Sequence, residues 1–157
     1  MSDLYYKATA AGGKAFAGKG VWKQGVWRST STPLIPCLRG IHYCRKDQIV
    51  QWLNAELWLF EPREDAELLD HGNKLVCSKG RIVERIDAWN ETTARLFAAD
   101  CAEQVVHLIP ESYRDPFTNA IRVARLYARG ECDDAARVAA GAWQTERLFD
   151  YLEGRAS

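Results

Sequence analysis

The spacing of apolar residues changes character near residue 87, and this limits the chain to folds in which a sheet is laid down first and a set of helices second. Before that point, short alternating runs are punctuated by glycine. After it, apolar residues recur every three or four positions, the period of a helix face. The order predicts an α+β protein: a small, mostly antiparallel sheet with one short helix, followed by a C-terminal three-helix segment. The β-rich part is expected over 1–88, and the helical extension over 89–157 is expected to pack on it.

Within the first part, Leu4 to Thr9 suits a short strand, Gly12-Gly13 a turn, and Val21 to Trp27 a hairpin or bulged strand around Gly25. Ser29 to Pro36, with its hydroxyl side chains and prolines, reads as a loop. Arg39 to Arg45 alternates as a strand that would send His42 and Cys44 to one face. Lys46 to Leu53 reads as the short helix, with Asp47 in its first turn, and Glu56 to Glu61 as a strand with Leu57 and Leu59 opposite Trp58 and Phe60. The acidic stretch Pro62 to Asp70 reads as a loop and His71-Gly72-Asn73 as a turn. Lys74 to Ser78 and Arg81 to Ile86 then read as strands joined by a tight hairpin at Lys79-Gly80. On this pattern Trp52, Leu57, Leu59, Leu75, Val76, Ile82 and Val83 form the core. Helices are expected from Asn90 to Ile109, from about Asp115-Pro116 to Gly130, and from Asp133 to Leu152.

A chain of 157 residues buries roughly 70% of its unfolded surface and needs neither disulfide nor metal for stability. Lys plus Arg and Asp plus Glu each number 21, and a net charge of zero disfavours a dedicated nucleic-acid or membrane-surface protein. The charge is uneven, however. Residues 1–45 carry seven basic side chains against Asp3 alone, or +6, and the remainder carries 14 basic against 20 acidic, or −6. The five cysteines are odd in number and widely spaced, and the first residues lack the pattern of a signal peptide, so a cytoplasmic location is expected. No apolar run approaches the ~20 residues needed to span a bilayer, so no membrane association is expected.

The densest chemistry lies in Cys37 to Arg45, Cys-Leu-Arg-Gly-Ile-His-Tyr-Cys-Arg. Cys37, His42 and Cys44, with His71 or Cys77, are zinc-ligand types, but the C-x4-H-x-C spacing lacks a compact C-x2-C pair, and no metal or other cofactor is expected. Cys44 beside His42 on one strand face suggests a thiol nucleophile, although adjacent same-face positions lie ~7 Å apart and no orienting acid is evident. Lys14, Lys19, Lys23, Trp22 and Trp27 suggest a basic stacking platform, against which stands a hairpin with one tryptophan in the core. Glu64, Asp65, Glu67 and Asp70 lack the spacing of a calcium loop and read as a solvated run.

Several separated elements agree in order with a known pattern: Tyr6-Lys7-Ala8, Cys37-x-x-Gly40-Ile41-His42-x-Cys44, Trp52-Leu53, Leu57-Trp58-Leu59-Phe60-Glu61, and Lys74-Leu75-Val76 before Arg81-Ile82-Val83. Over residues 5–88 the chain resembles a small domain of unknown function, with a C-x-x-G-[FIL]-H-x-C core, found in bacteriophage and actinobacterial proteins. The resemblance implies a phage or mobile-element origin and assigns no catalytic residue.

The function expected is that of a phage-type accessory protein acting through protein contacts, with a protein partner or a second copy of itself. Trp143, Leu148, Phe149 and Tyr151, on the third expected helix, are the candidate interaction residues, because they are spread around more than one side of it. The first alternative is an enzyme acting on a nucleotide or nucleic acid with an ADP-ribosyltransferase-like core, an analogy of element order alone. Its candidate catalytic residues are His42, Tyr43, Cys44 and Glu61, with Glu56 as another acidic choice, and it requires His42 and a carboxylate to converge on one concave site. The second alternative is a nucleic-acid-binding module that uses the basic N-terminal portion.

Overall fold

The structure, a computed structural model, describes residues 4–15 and 20–132. The chain divides into two compact units, Met1–Asn90 and Glu91–Ser157.

The first unit holds strands β1 (Tyr5–Thr9), β2 (Arg28–Ser29), β3 (Ile41–Tyr43), β4 (Glu56–Pro62), β5 (Leu68–Asp70), β6 (Leu75–Cys77) and β7 (Lys79–Arg85). They form two sheets, β1-β4-β7-β2 and β3-β6-β5, and every strand pair is antiparallel. The sheets meet where Tyr6 and Cys44 exchange two backbone hydrogen bonds of 2.8 Å each, so β1 of one sheet lies along the end of β3 of the other. α+β is therefore the right class, but the single sheet becomes two.

The expected hairpin at Lys79-Gly80 does not form. β6 pairs with β3 and β5 and β7 with β4 and β2, so the chain passes from one sheet to the other at Ser78. Ser78 satisfies both sides of the crossing: its N–H donates to the Glu67 carbonyl at 3.0 Å, and its own carbonyl accepts from the Thr30 N–H at 2.8 Å. Gly80 serves packing rather than a turn, since a Cβ there would overlap the Phe60 ring. The acidic stretch after Pro62 is not all loop. Leu68–Asp70 forms β5, which turns at His71 into β6.

Strand β4 has the expected alternation with the opposite face inward. Trp58 and Phe60 are buried, and Leu57 and Leu59 are half-buried. The core is built of large rings, with Trp22, Tyr43, Trp58 and Phe60 packed among Ile41, Leu75, Cys77 and Ile82. Tyr43 stacks on Phe60 at 4.8 Å between centroids and meets the Tyr5 ring edge-on. Of the adjacent pair Ile82 and Val83, the first is fully buried and the second 37% exposed, so Val83 leaves the predicted core. Trp52 is half-buried and donates its indole N–H to the Asn73 carbonyl.

Two local expectations also change. Lys46 to Leu53 is a turn followed by a 3₁₀ helix, Ile49–Trp52, and not an α-helix. The Gln48 side chain accepts the Arg45 N–H at 2.9 Å, a local bond that competes with regular helix. Val21 to Trp27 is not a hairpin but a turn docked on β7, with the Gly25 N–H on the Ile82 carbonyl, and pairing as a strand begins only at Arg28.

The second unit contains α1 (Glu91–Gln104), a 3₁₀ turn (Val106–Leu108) and α2 (Glu111–Ala128). The expected helix to Ile109 thus stops early, and Pro110 sits at the N-terminus of α2. Pro116 lies in the second turn of α2 rather than at its start. Arg125 of α2 reaches Asp100 and Glu103 of α1 at 2.6 and 2.7 Å. The described part of the segment holds two α-helices, not three. The third, with Trp143, Leu148, Phe149 and Tyr151, lies outside the described residues. No helix among the described residues is long and apolar enough to cross a membrane.

Candidate functional site

A cavity of about 740 Å³ opens in the first unit between β1, β2, β3 and the Ile49–Trp52 turn. Lys7, Trp22, Arg28, Cys37, His42, Tyr43, Cys44, Trp52 and Lys74 are among its lining residues.

The Cys37 to Cys44 segment forms one wall, and its residue spacing has a backbone explanation. The chain turns tightly at Ile35–Arg39, with the Leu38 and Arg39 N–H groups both directed at the Ile35 carbonyl. Cys37 occupies the left-handed region, φ 65°, which is strained for a residue with a side chain. Its N–H is held by His42 Nε2 at 3.1 Å, five positions on. Gly40, at φ 148°, lets the chain press against Val76, because a Cβ there would overlap Val76 Cγ1. The C-x-x-G-I-H spacing therefore builds a turn braced by its own histidine.

His42 is half-buried, and by accepting at Nε2 it is fixed as the neutral Nδ1–H tautomer. Burial first, then the Lys74 and Lys7 ammonium groups, lower its pKa to about 4, so it is uncharged at pH 7. To act as a general base through Nε2 it would have to release Cys37. Tyr43 is buried among rings, and burial raises its phenol well above the usual value. Cys44 is buried, and burial pushes its thiol up to about 11 against the opposing pull of Lys7 and Lys74, so it is protonated at neutral pH and lacks the reactive form.

Glu61, the remaining catalytic candidate, does not line the cavity. Its carboxylate accepts from Arg81 Nε at 2.8 Å on the β4–β7 ladder. Glu56 is also absent from the lining. It is buried, and it accepts the N–H groups of Gly12 and Gly13, each at 2.9 Å, and the Thr9 hydroxyl at 3.1 Å. Among the described residues no carboxylate lines the cavity. The potential zinc ligands are likewise dispersed: no group of three His, Cys, Asp or Glu side chains among the described residues is placed to hold a metal.

Three cations do converge there. Lys7 Nζ donates to the His42 carbonyl at 2.6 Å and lies 4.6 Å from the Trp22 ring centroid. The Arg28 guanidinium lies 4.6 Å from the same ring. Lys74, 5% exposed, places Nζ 3.0 Å from Cys37 Sγ and 4.4 Å from the Trp52 ring. Cation–π contacts of this kind stabilise a desolvated ammonium without neutralising it. No salt bridge to any of the three exists among the described residues. Burial lowers the Lys7 amine to about 8, with Cys77 and Cys44 opposing and Arg28 reinforcing the shift.

Motif reasoning placed chemistry on His42 and Cys44 and passed over the three cations. A signal for Lys7 was present: in a strand whose Tyr5 and Thr9 face inward, Lys7 shares their face. No family model, curated protein or solved structure matches the chain.

Proposed function

We propose that the first unit binds a small phosphate-bearing ligand in the Lys7–Arg28–Lys74 cavity. The observation that carries this reading is the convergence of three cations, one of them 5% exposed, on a cavity with no carboxylate among the described lining residues. Buried charge is ordinarily paired, and a concave, partly apolar wall strengthens the attraction for an anion. The volume, about 740 Å³, lies within the range of small-molecule sites and accommodates a nucleotide-sized ligand. The nucleotide alternative therefore falls inside this class as a ligand, while its catalytic form finds no acid among the described lining residues. A cytoplasmic setting, in which thiols stay reduced, would keep Cys37 in contact with Lys74.

Titration with pyrophosphate, ADP and adenosine, followed by isothermal calorimetry, tests the reading. Pyrophosphate and ADP are expected to bind, with affinity falling as salt rises, and adenosine is not. Equal binding of ADP and adenosine, or binding of none of the three, contradicts it. The accessory-protein reading, with its phage origin and its contacts through Trp143, Leu148, Phe149 and Tyr151, remains a separate proposal that rests on residues outside the described ones.

A further inference from the structure

We propose that Lys7 is a nucleophilic amine that captures the carbonyl carbon of a phosphorylated aldehyde as an imine, while Arg28 and Lys74 hold the phosphate. This rests on the phosphate reading above and narrows its ligand class.

The geometry separates Lys7 from an ordinary strand lysine. It lies in the middle of β1 with its stem turned toward the ring core, and its Nζ reaches the cavity. The groups that face it are the Trp22 and Phe60 rings at 4.6 and 5.9 Å, the His42 carbonyl of β3, the Cys44 and Cys77 thiols, and the Arg28 guanidinium of β2. None is a carboxylate. A lysine set in apolar surroundings beside another cation is the arrangement that frees an amine lone pair near neutral pH. The value of about 8 fits that arrangement and leaves a substantial uncharged fraction at pH 7.5. Cys44 and Cys77, raised to about 11 and about 12, remain protonated and do not compete as nucleophiles.

The step involves no oxidation. The Lys7 ammonium first loses a proton to water. The free amine adds to the aldehyde carbon, forming the C–N bond, and one amine proton passes to the carbonyl oxygen to make the hydroxyl of the carbinolamine. That oxygen takes a proton from solvent and leaves as water, and the nitrogen lone pair completes the C=N bond of the protonated imine, which keeps one N–H. One water is released per imine.

Reductive trapping tests this on the folded full-length chain, so no variant has to fold. Glyceraldehyde 3-phosphate or glyceraldehyde is added with cyanoborohydride, and labelled lysines are located by peptide mass mapping, with exposed Lys23 as the internal reference. Lys7 is expected to be labelled about tenfold faster than Lys23 at pH 7.5, as an amine set in apolar surroundings beside another cation. Its rate should level off above about pH 8, and the phosphorylated aldehyde should label it faster than glyceraldehyde does. Preferential labelling of Lys7 by both aldehydes at equal rates would keep the amine and overturn the phosphate reading. Labelling of Lys7 no faster than Lys23 would overturn the amine, even if pyrophosphate still binds.

Discussion

The outer strands and the cavity of the first unit handle positive charge in opposite ways. On the outer faces several cations have a carboxylate: Arg81 meets Glu61, Lys79 and Arg63 meet Asp65, and Arg45 meets Asp70. Exposed pairs of this kind add little to stability. In the cavity, Lys7, Arg28 and Lys74 are held instead by indole faces, a carbonyl and a thiol. There the cost of desolvation is larger, and no anion among the described residues offsets it. Glu56 shows that the fold does complete buried charge elsewhere, since its carboxylate has two backbone N–H groups and a hydroxyl. The contrast is the reason for proposing that the cavity takes an anion from outside the unit.

The largest effect is expected at the completed charge. Glu56→Gln should destabilise the protein by about 3 kcal/mol, because hydrogen bonds to a buried carboxylate are exchanged for weaker ones to an amide that also brings surplus donors. Burial pushes the Glu56 carboxyl up, but the Gly12 and Gly13 N–H groups, Thr9 and Arg85 together outweigh it and hold the pKa below the usual value. Its contribution is therefore present above about pH 4.3, the ordinary value, and is lost as pH falls through the lower folded value. Chemical denaturation from pH 7 to pH 3 should show a steeper acid limb in the wild type than in the variant. Parallel limbs would mean that Glu56 is not the completed charge described here.

A smaller change is expected at the cavity. Arg28→Met should weaken pyrophosphate binding about tenfold, equivalent to about 1.4 kcal/mol, with little change in the denaturation midpoint. A large loss of stability with unchanged binding would make Arg28 a structural partner of Trp22. The smallest effect is expected on the outer face. Glu61→Gln should shift stability by about 0.5 kcal/mol and leave pyrophosphate affinity unchanged. Altered affinity would return Glu61 to the site.

The α+β class was legible because the shift from alternation to three-and-four spacing is a local signal, and β1, β4 and the His71 turn were read from it nearly as they stand. What the sequence hid was non-local. Lys79-Gly80 looks like a hairpin turn, but the Phe60 ring, from a strand remote in sequence, takes the space that the missing Cβ leaves. Leu57 and Leu59 looked as apolar as Trp58 and Phe60, and only the partners across the core decide which face turns inward. At the site, the Cys37–Cys44 segment forms one wall of the cavity, for reasons of turn geometry rather than reactivity. The cations come from three separated segments, and nothing in the neighbourhood of Arg28 or Lys74 in the sequence signals that they share one cavity with Lys7.

The central claim, that the cavity's charge is unpaired until an anion arrives, is tested most directly by the stability of wild type and Lys74→Met with and without saturating pyrophosphate. Without the anion the variant should be at least as stable as the wild type, because methionine occupies the same buried space without a desolvated charge. With pyrophosphate the order should reverse, because only the wild type gains the full binding free energy. A variant that is less stable than the wild type in the absence of anion, and equally less stable in its presence, would show that Lys74 is already satisfied within the fold and that the cavity does not await an anion.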